Sequence, residues 1–419
     1  MPRSASLLSG TWPAIIAAVA QSVDLEATAR QFNALQRKRK IQTAEALLRL
    51  ALMWGVGGLS LREAAALASE AGIAELSDKA VEGRLRKMGD WLAHILATLL
   101  ADRISTPNAA AGTDLALSLV DGSVICAPGK GQDWRLHARY DPGRGRFADL
   151  VLTTTREAEA AGRTRICPGR VLIMDRGYAR VRNFKAVLAD GGDFITRLSW
   201  GSVKLYDAKG KRIDVTALLA DTSQTREVPV WVKGIPRAFR LVIQPLPAEA
   251  AGRQRAKRIR KANRNGHKIN ARTIEAAGFL MLLTSLAVEA QPAARIAELY
   301  RNRWQVEIGI KRLKTLGGLD ELRSADPVLA RTWLLTQLIA AVLTDDLANQ
   351  IVGIPPRRSE APAAPQSMWR AWARARDILL NAIVPRPKLN TRAAPIRFRS
   401  RLAEPPRRRC LQACQIRPP

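Results

Sequence analysis

Residues 115–125, LALSLVDGSVI, and residues 170–178, RVLIMDRGY, each carry a short apolar run closed by an aspartate, Asp121 in the first and Asp175 in the second. A run of that kind, rich in Leu, Ile and Val and bounded by Gly or Asp, has the length and composition of a buried β-strand. Working outward, DWRLHARYD at 133–141 and ADLVLTTT at 148–155 read as two more strands, with a short helix near Glu157 to Arg163. RVRNFKAVLAD at 180–190 has helical periodicity, and GDFITRLSW at 192–200 supplies a fifth strand. Strands alternating with helices define an α/β domain. One strand-end aspartate is unremarkable, because Asp is common where strands turn. Two of them at the ends of neighbouring parallel strands would face one crevice. Like charges that close are costly unless a cation lies between them, and hard oxygen ligands suit Mg2+ or Mn2+.

Charge points to the partner. The 419 residues contain 67 Lys and Arg against 37 Asp and Glu, a net charge of +30, which favours a polyanion such as nucleic acid. A membrane is not expected: the longest uninterrupted apolar stretches, such as WLLTQLIAAVL at 333–343, are shorter than the roughly 20 residues of a span. The N-terminus, with one early Arg and a short apolar run broken by Pro13, reads as a tail and a helix, not a signal peptide. Cys126, Cys167, Cys410 and Cys414 are too few and too scattered for a disulfide framework or a zinc site. A reducing, cytoplasmic setting fits.

The flanking segments differ in character. Residues 24–103 read as helical; Ser60 with Glu63 forms a capping box, Gly72 ends that helix and Ser77 opens the next, which bears Lys79, Arg84, Arg86 and Lys87. Such a pair resembles a DNA-binding helix-turn-helix. Residues 200–288 are mostly strand-like, interrupted at 252–268 by GRQRAKRIRKANRNGHK, with eight Lys or Arg and no acid; the expectation is a mobile basic loop. Helices return near residue 292. The Pro-rich stretch 353–365 reads as a linker, QSMWRAWARARDILLNAIV as a helix, and the last 35 residues, with ten Lys or Arg and only Glu404 acidic, as a disordered tail.

Within the returning helices lies YRNRWQVEIGIKRLK, residues 300–314. Placed on one helix at about 100° per residue, Tyr300, Arg303, Glu307 and Lys314 share a polar stripe. Leu299, Val306, Ile310 and Leu313 occupy the adjoining sector, and Arg301, Asn302, Gln305, Gly309 and Arg312 fill the side expected to face water. Glu307 is the candidate third carboxylate. The plain alternative is a surface helix with Arg303 and Glu307 as an i, i+4 ion pair.

The spacing Tyr, two residues, Arg, three residues, Glu, six residues, Lys resembles the signature of the DDE transposases of the insertion-sequence-four group, matched here without a gap by Tyr300, Arg303, Glu307 and Lys314. VDGS at 120–123, WRLHARYD at 134–141, DRGY at 175–178 and LGGLDELRSADPVLAR at 316–331 are similar to that family too. The resemblance covers about residues 30–350. It implies a ribonuclease-H-like α/β catalytic domain over 111–350, with a β-rich insertion at about 200–288. An all-helical N-terminal DNA-binding region over 1–110 would precede it, and a linker, helix and basic tail over 351–419 would follow. It implies two Mg2+ or Mn2+ ions held by Asp121, Asp175 and Glu307, with DNA-backbone contacts from Tyr300, Arg303 and Lys314. It implies double-stranded DNA, inverted-repeat ends and target, as the partner of a homodimer, and an aromatic in the insertion, Trp200 or Trp231, stacked on a flipped base. The expected function is metal-dependent cleavage and strand transfer of insertion-sequence ends. The rivals are a ribonuclease-H-like DNA nuclease, which shares the metal chemistry, and a non-catalytic DNA-binding regulator, which leaves the three carboxylates unexplained.

Overall fold

Capping chemistry organises the helices upstream of residue 105: α1 Trp12–Ala20, α2 Leu25–Gln31, α3 Ala44–Gly55, α4 Leu61–Glu70, α5 Asp78–Leu85 and α6 Gly89–Ser105. Asp24, Thr43, Ser60 and Ser77 each accept a backbone N–H of the first helical turn, and Glu63 in turn accepts the Ser60 N–H, so the expected capping box is present. Each cap satisfies a donor that the helix cannot. Gly72 follows α4 at φ +66°, the left-handed conformation that glycine adopts cheaply.

The computed structural model describes residues 7–105, 114–220, 222–353 and 367–385. All but the first residue of the expected basic tail, with Cys410 and Cys414, and all but the first residue of the expected linker lie outside them. The described residues divide into two compact units. One holds the residues up to His94 with Arg331–Ala340 and those from Asp377 onward. Inside it, Gly55 makes room for a close approach: a methyl there would lie 1.9 Å from Thr336 Oγ1.

The second unit, Ile95–Ala330 with Ala341–Arg376, is built on a nine-stranded sheet of order β3-β2-β1-β4-β5-β9-β8-β7-β6. The strands are β1 Ala116–Ile125, β2 Trp134–Asp141, β3 Arg146–Thr154, β4 Arg170–Met174, β5 Asp193–Arg197, β6 Leu205–Tyr206, β7 Arg226–Val232, β8 Ala238–Pro245 and β9 Phe279–Thr284. β1, β4 and β5 run parallel and the other pairs antiparallel. The helix expected near Glu157 to Arg163 is a single 3-10 turn, Ala161–Arg163. Helix α7, Val181–Ala189, contributes Phe184, which stacks on Phe194 of β5 at 4.6 Å in the sheet's core. The strands of 200–288 do not stand apart, because β9 pairs with β5 and carries the same sheet onward.

Helices α8 Val215–Ala220, α9 Ala248–Arg264 and α10 Ala271–Ala276 interrupt these later strands. The expected basic loop is therefore mostly helix. Its Ala, Arg, Lys and Gln residues are strong helix formers, and that propensity outweighs charge repulsion; Asn265 and Gly266, at φ +67°, end it. The chain continues through α11 Ala293–Arg301, α12 Trp304–Thr315, α13 Pro327–Val352 and α14 Met368–Ile383. Helix α13 is long and apolar enough to cross a membrane by those two measures, unlike the uninterrupted run read from the sequence, but 83% of its apolar window is buried. It is a core helix.

Residues 300–314 are not one continuous helix. Asn302 and Arg303 form a tightened turn in which Gln305 N bonds Asn302 O and Val306 N bonds Arg303 O, both i to i−3. Such a turn advances about 120° per residue instead of about 100°, so α12 is rotated relative to α11. Leu299, Val306, Ile310 and Leu313 are buried as expected. Gly309 and Arg312, expected to face water, are buried too, against the sheet. Arg312 Nη2 donates to Tyr140 Oη at 2.9 Å, and a methyl at Gly309 would lie 3.0 Å from Phe147 Cζ and 3.2 Å from Tyr140 Cδ2. Glycine thus lets α12 settle onto the edge-on pair of Tyr140 and Phe147.

A second clamp is buried nearby. Arg103 donates to Phe147 O at 2.9 Å and pairs with Asp346 at 2.6 Å, while Asp345 accepts Phe147 N at 2.9 Å and Trp372 Nε1 at 3.0 Å. Desolvation raises the Asp345 carboxyl above its ordinary range, and Arg103 opposes the rise.

Gly309→Val should lower the free energy of unfolding by about 2 kcal/mol through overpacking against two aromatic rings. A urea midpoint equal to that of the parent would show that α12 does not sit as close to the sheet as described.

Candidate active site

The site begins where β1 and β4 leave the core together. β1 is buried from Ala116 to Val120 and opens to half-exposure at Asp121; β4 is buried throughout, and half-buried Asp175 follows it. The parallel register pairs Val120 with Met174, so Asp121 and Asp175 occupy matching positions one residue further on adjacent strands. Val120 and Met174 share the core cluster of Phe184 and Phe194. Strand alternation therefore turns Asp121 towards the opposite face of the sheet, and α12 packs on β1 and β2.

Electrostatics record the convergence. The Asp121 carboxyl is pushed up to about 6, first by burial and then by the charges of Glu307 and Asp175, against a hydrogen bond from Gly122 N at 2.9 Å and the charge of Arg303. Glu307, in the first turn of α12, is exposed and accepts from Arg303 Nη1 at 2.7 Å. The ion pair that the plain reading anticipated is thus present, and it lies within the field of Asp121. Tyr300 is buried on α11; burial raises its hydroxyl, Asp175 reinforces the rise and Arg303 opposes it. Lys314 lies further along α12, its Nζ donating to Val124 O at 3.0 Å and pairing with Asp320 at 2.9 Å. Five of the six residues read from the sequence therefore act on one another, while Lys314 is tied to the end of β1. Among the described residues, no three His, Cys, Asp or Glu are already grouped to hold an ion.

Trp200 and Trp231 apart, the other neighbours of this site carry no role in the sequence reading. A cavity of about 280 Å³ is lined by Arg176, Arg197, Trp200, Arg258 and Thr273, and Trp200 Nε1 donates to Thr273 Oγ1 at 3.2 Å. Arg176 follows Asp175 directly in DRGY, which was the available signal. Trp231 lines a different hollow with Tyr206 and Lys233. Glu159 and Tyr178 also reach the acidic residues. Tyr178 belongs to DRGY, but Glu159 lies in an irregular loop where no periodicity marks it. On α5 and just after it, Lys79, Arg86 and Lys87 are exposed and Arg84 is half-buried.

The family model described as "Transposase DDE domain" matches residues 113–343, more than half of the chain. The putative transposase InsL for insertion sequence element IS186A of Escherichia coli (strain K12) is 38% identical over 357 residues, covering 83% of this chain and 96% of the relative. The transposase for insertion sequence element IS421 of Escherichia coli is 38% identical over 358 residues, with the same coverage of each. Among solved structures, a piggyBac transposase synaptic complex with hairpin DNA covers 93% of this chain and 80% of its own at a TM-score of 0.42 and 10% identity, too slight a likeness to bear on the fold. The span of the domain match and the extent of the relatives' identity establish that the chain belongs to the DDE transposase family.

Proposed function

We propose that the chain cuts insertion-sequence DNA and joins the free 3′ ends to a target, with Asp121, Asp175 and Glu307 as the carboxylates that hold divalent metal. The observation that carries this reading is the register of β1 and β4, which sets Asp121 beside Asp175 while α12 brings Glu307 into the same field. All three donors are hard oxygens, and burial with two neighbouring carboxylates disfavours the charged form of Asp121, a cost that a bound cation offsets. The donor set fits two Mg2+ or Mn2+ ions, which when bound activate a water and stabilise a leaving 3′ oxygen.

The other residues position DNA. Arg303 pairs with Glu307; a cation held by Glu307 would leave the guanidinium fork free to take a phosphate in bidentate fashion. Lys314 would exchange Asp320 for the same backbone, and Tyr300 offers a hydroxyl to it. Trp200 is the stronger of the two tryptophans for stacking on a flipped base, because its cavity also contains Arg176 beside Asp175. The order β3-β2-β1-β4-β5, with β1, β4 and β5 parallel, supports a ribonuclease-H-like domain within 111–350. We assign helices within 1–110, α4 and α5 foremost, to recognition of inverted-repeat ends in double-stranded DNA, by a homodimer acting at the bacterial nucleoid in the cytoplasm. A nuclease of the same fold would cleave these ends without joining them, and a regulator would bind without cleaving, so a strand-transfer assay on end-bearing duplexes separates the three.

Asp121→Ala, Asp175→Ala and Glu307→Ala should each abolish cleavage in Mg2+ while end binding, read by gel shift, stays within about twofold; cleavage retained by two of the three would remove those positions from the site. Metal-free stability gives an independent check. Because burial raises Asp121 above the ordinary carboxylate range to about 6, the stability this group contributes is full below its unfolded value and is lost as pH rises through about 6. Asp121→Asn should therefore stabilise the metal-free protein at pH 7.5 by on the order of 2 kcal/mol, a gain that vanishes by about pH 4. A variant no more stable than the parent at pH 7.5 would show that Asp121 is not under electrostatic stress. Finally, replacing Lys257, Arg260, Lys261 and Arg264 of α9 with Gln should flatten the slope of log affinity against log salt by up to about 3 to 4. An unchanged slope would remove α9 from the DNA-contacting surface.

A further inference from the structure

Glu159 lies in the loop between β3 and the 3-10 turn, and its carboxylate occupies space that two glycines leave open. A methyl built on Gly122, the residue after Asp121, would lie 2.9 Å from Glu159 Oε1; one built on Gly177, two residues after Asp175, would lie 3.4 Å from Oε2. The loop is anchored from behind by α7, since Arg182 Nη2 donates to Glu159 O at 3.3 Å and Asn183 Oδ1 accepts Ala161 N at 3.1 Å. The hydroxyl of Tyr178 lies within the field of this carboxylate. Tyr178 is 1% exposed and its Oη is buried with no hydrogen-bond partner. After burial itself, the charges acting on that hydroxyl are Glu159, then Asp121, with Asp175 following Arg135.

We propose that Glu159 is a fourth carboxylate of the metal centre, holding the ions through their water shell from the side of Gly122 and Gly177, with the Tyr178 hydroxyl directed to the same water. The inference rests on the metal-dependent reading of Asp121, Asp175 and Glu307. Its physical ground is an accounting of polar groups. A buried hydroxyl without a partner costs free energy, and a third carboxylate set against two others adds repulsion; a hydrated cation between them removes both costs. Glu159 has neither an ion pair nor a side-chain hydrogen bond among the described residues. Glu157, two residues earlier on the same loop, is instead paired with Arg163 and provides a control of equal charge.

The test is Mn2+ titration of the full-length chain, followed by electron paramagnetic resonance of the free ion. Glu159→Gln keeps the side chain's shape and should weaken Mn2+ binding about tenfold, the scale on which outer-shell partners of metals act. Glu157→Gln should stay within twofold. Gly122→Ala, whose methyl displaces the Glu159 carboxylate, should weaken binding to a similar degree, and the Gly122→Ala/Glu159→Gln double variant should be no weaker than either single one. Tyr178→Phe should lose a smaller factor, about threefold, with no fall in thermal midpoint. Equal Mn2+ affinity in the parent and Glu159→Gln, or an equal loss in Glu157→Gln, overturns the assignment, as does a Glu159→Gln protein that unfolds earlier yet binds Mn2+ normally. Asp121→Asn separates the two levels of the argument. If it lowers Mn2+ affinity while Glu159→Gln does not, the metal-centre reading stands and the fourth carboxylate falls; if it too binds like the parent, both fall.

Discussion

The site depends on one register. Pairing Val120 with Met174 across parallel strands fixes Asp121 and Asp175 side by side before any side-chain chemistry is considered, and a slip of one residue in either strand would turn one of them to the opposite face. The apolar residues that hold this register are buried on both faces up to Val120 and Met174. Core packing and the placing of charge are thus parts of one strand-end geometry. The arrangement stresses the fold: Asp121 is half-buried next to like charges, and burial with those charges pushes its carboxyl up to about 6. Native proteins accept such local cost where function requires it.

The third carboxylate arrives by different means. Glu307 is carried by a helix whose seat on the sheet is set by Gly309 against Tyr140 and Phe147, and by Arg312 bonded to Tyr140 Oη. The tightened turn at Asn302 and Arg303 lets Tyr300 be buried on α11 while Glu307 stays exposed on α12. Arg303 then serves two needs. It pairs with Glu307, and its charge lowers the electrostatic cost at Asp121, so one guanidinium offsets part of the repulsion among the acidic residues.

Much of this was legible in the sequence, and what was missed has identifiable causes. The strand-end aspartates could be read because an apolar run closed by a carboxylate is a local pattern, and all nine strands fall within stretches of strand-like composition. Residues 252–268 were misread because high charge density looks like a loop, whereas the Ala, Arg, Lys and Gln of α9 favour helix strongly enough to prevail. Gly309 and Arg312 were assigned to water because one uniform helix was assumed; a turn of two residues, invisible to periodicity, altered the phase, and the sheet buried the polar side. Glu159 had no signal at all. Its place beside Asp121 depends on a loop folding back over Gly122 and Gly177, a tertiary event that no window of sequence contains.

The strands between Asp175 and Glu307 extend the catalytic sheet through the pairing of β9 with β5, and this bears on how a chain of net charge +30 can concentrate acid at its active site. Part of the positive charge lies on α9 and next to Asp175. Helix α9 carries exposed Arg and Lys along its length; its Arg258 lines the cavity of Trp200 together with Arg197 of β5 and Arg176, the neighbour of Asp175. Three basic groups, one of them the residue after the second aspartate, thus line one cavity, and Arg303 pairs with Glu307. On the metal-binding reading proposed above, phosphates drawn to these cationic groups would meet the carboxylates across a divalent ion, which offsets the charge of both negative partners. A sheet continuous from β1 to β6 keeps Arg197 and the strand-end aspartates on one scaffold, so the later strands bear on the site by position.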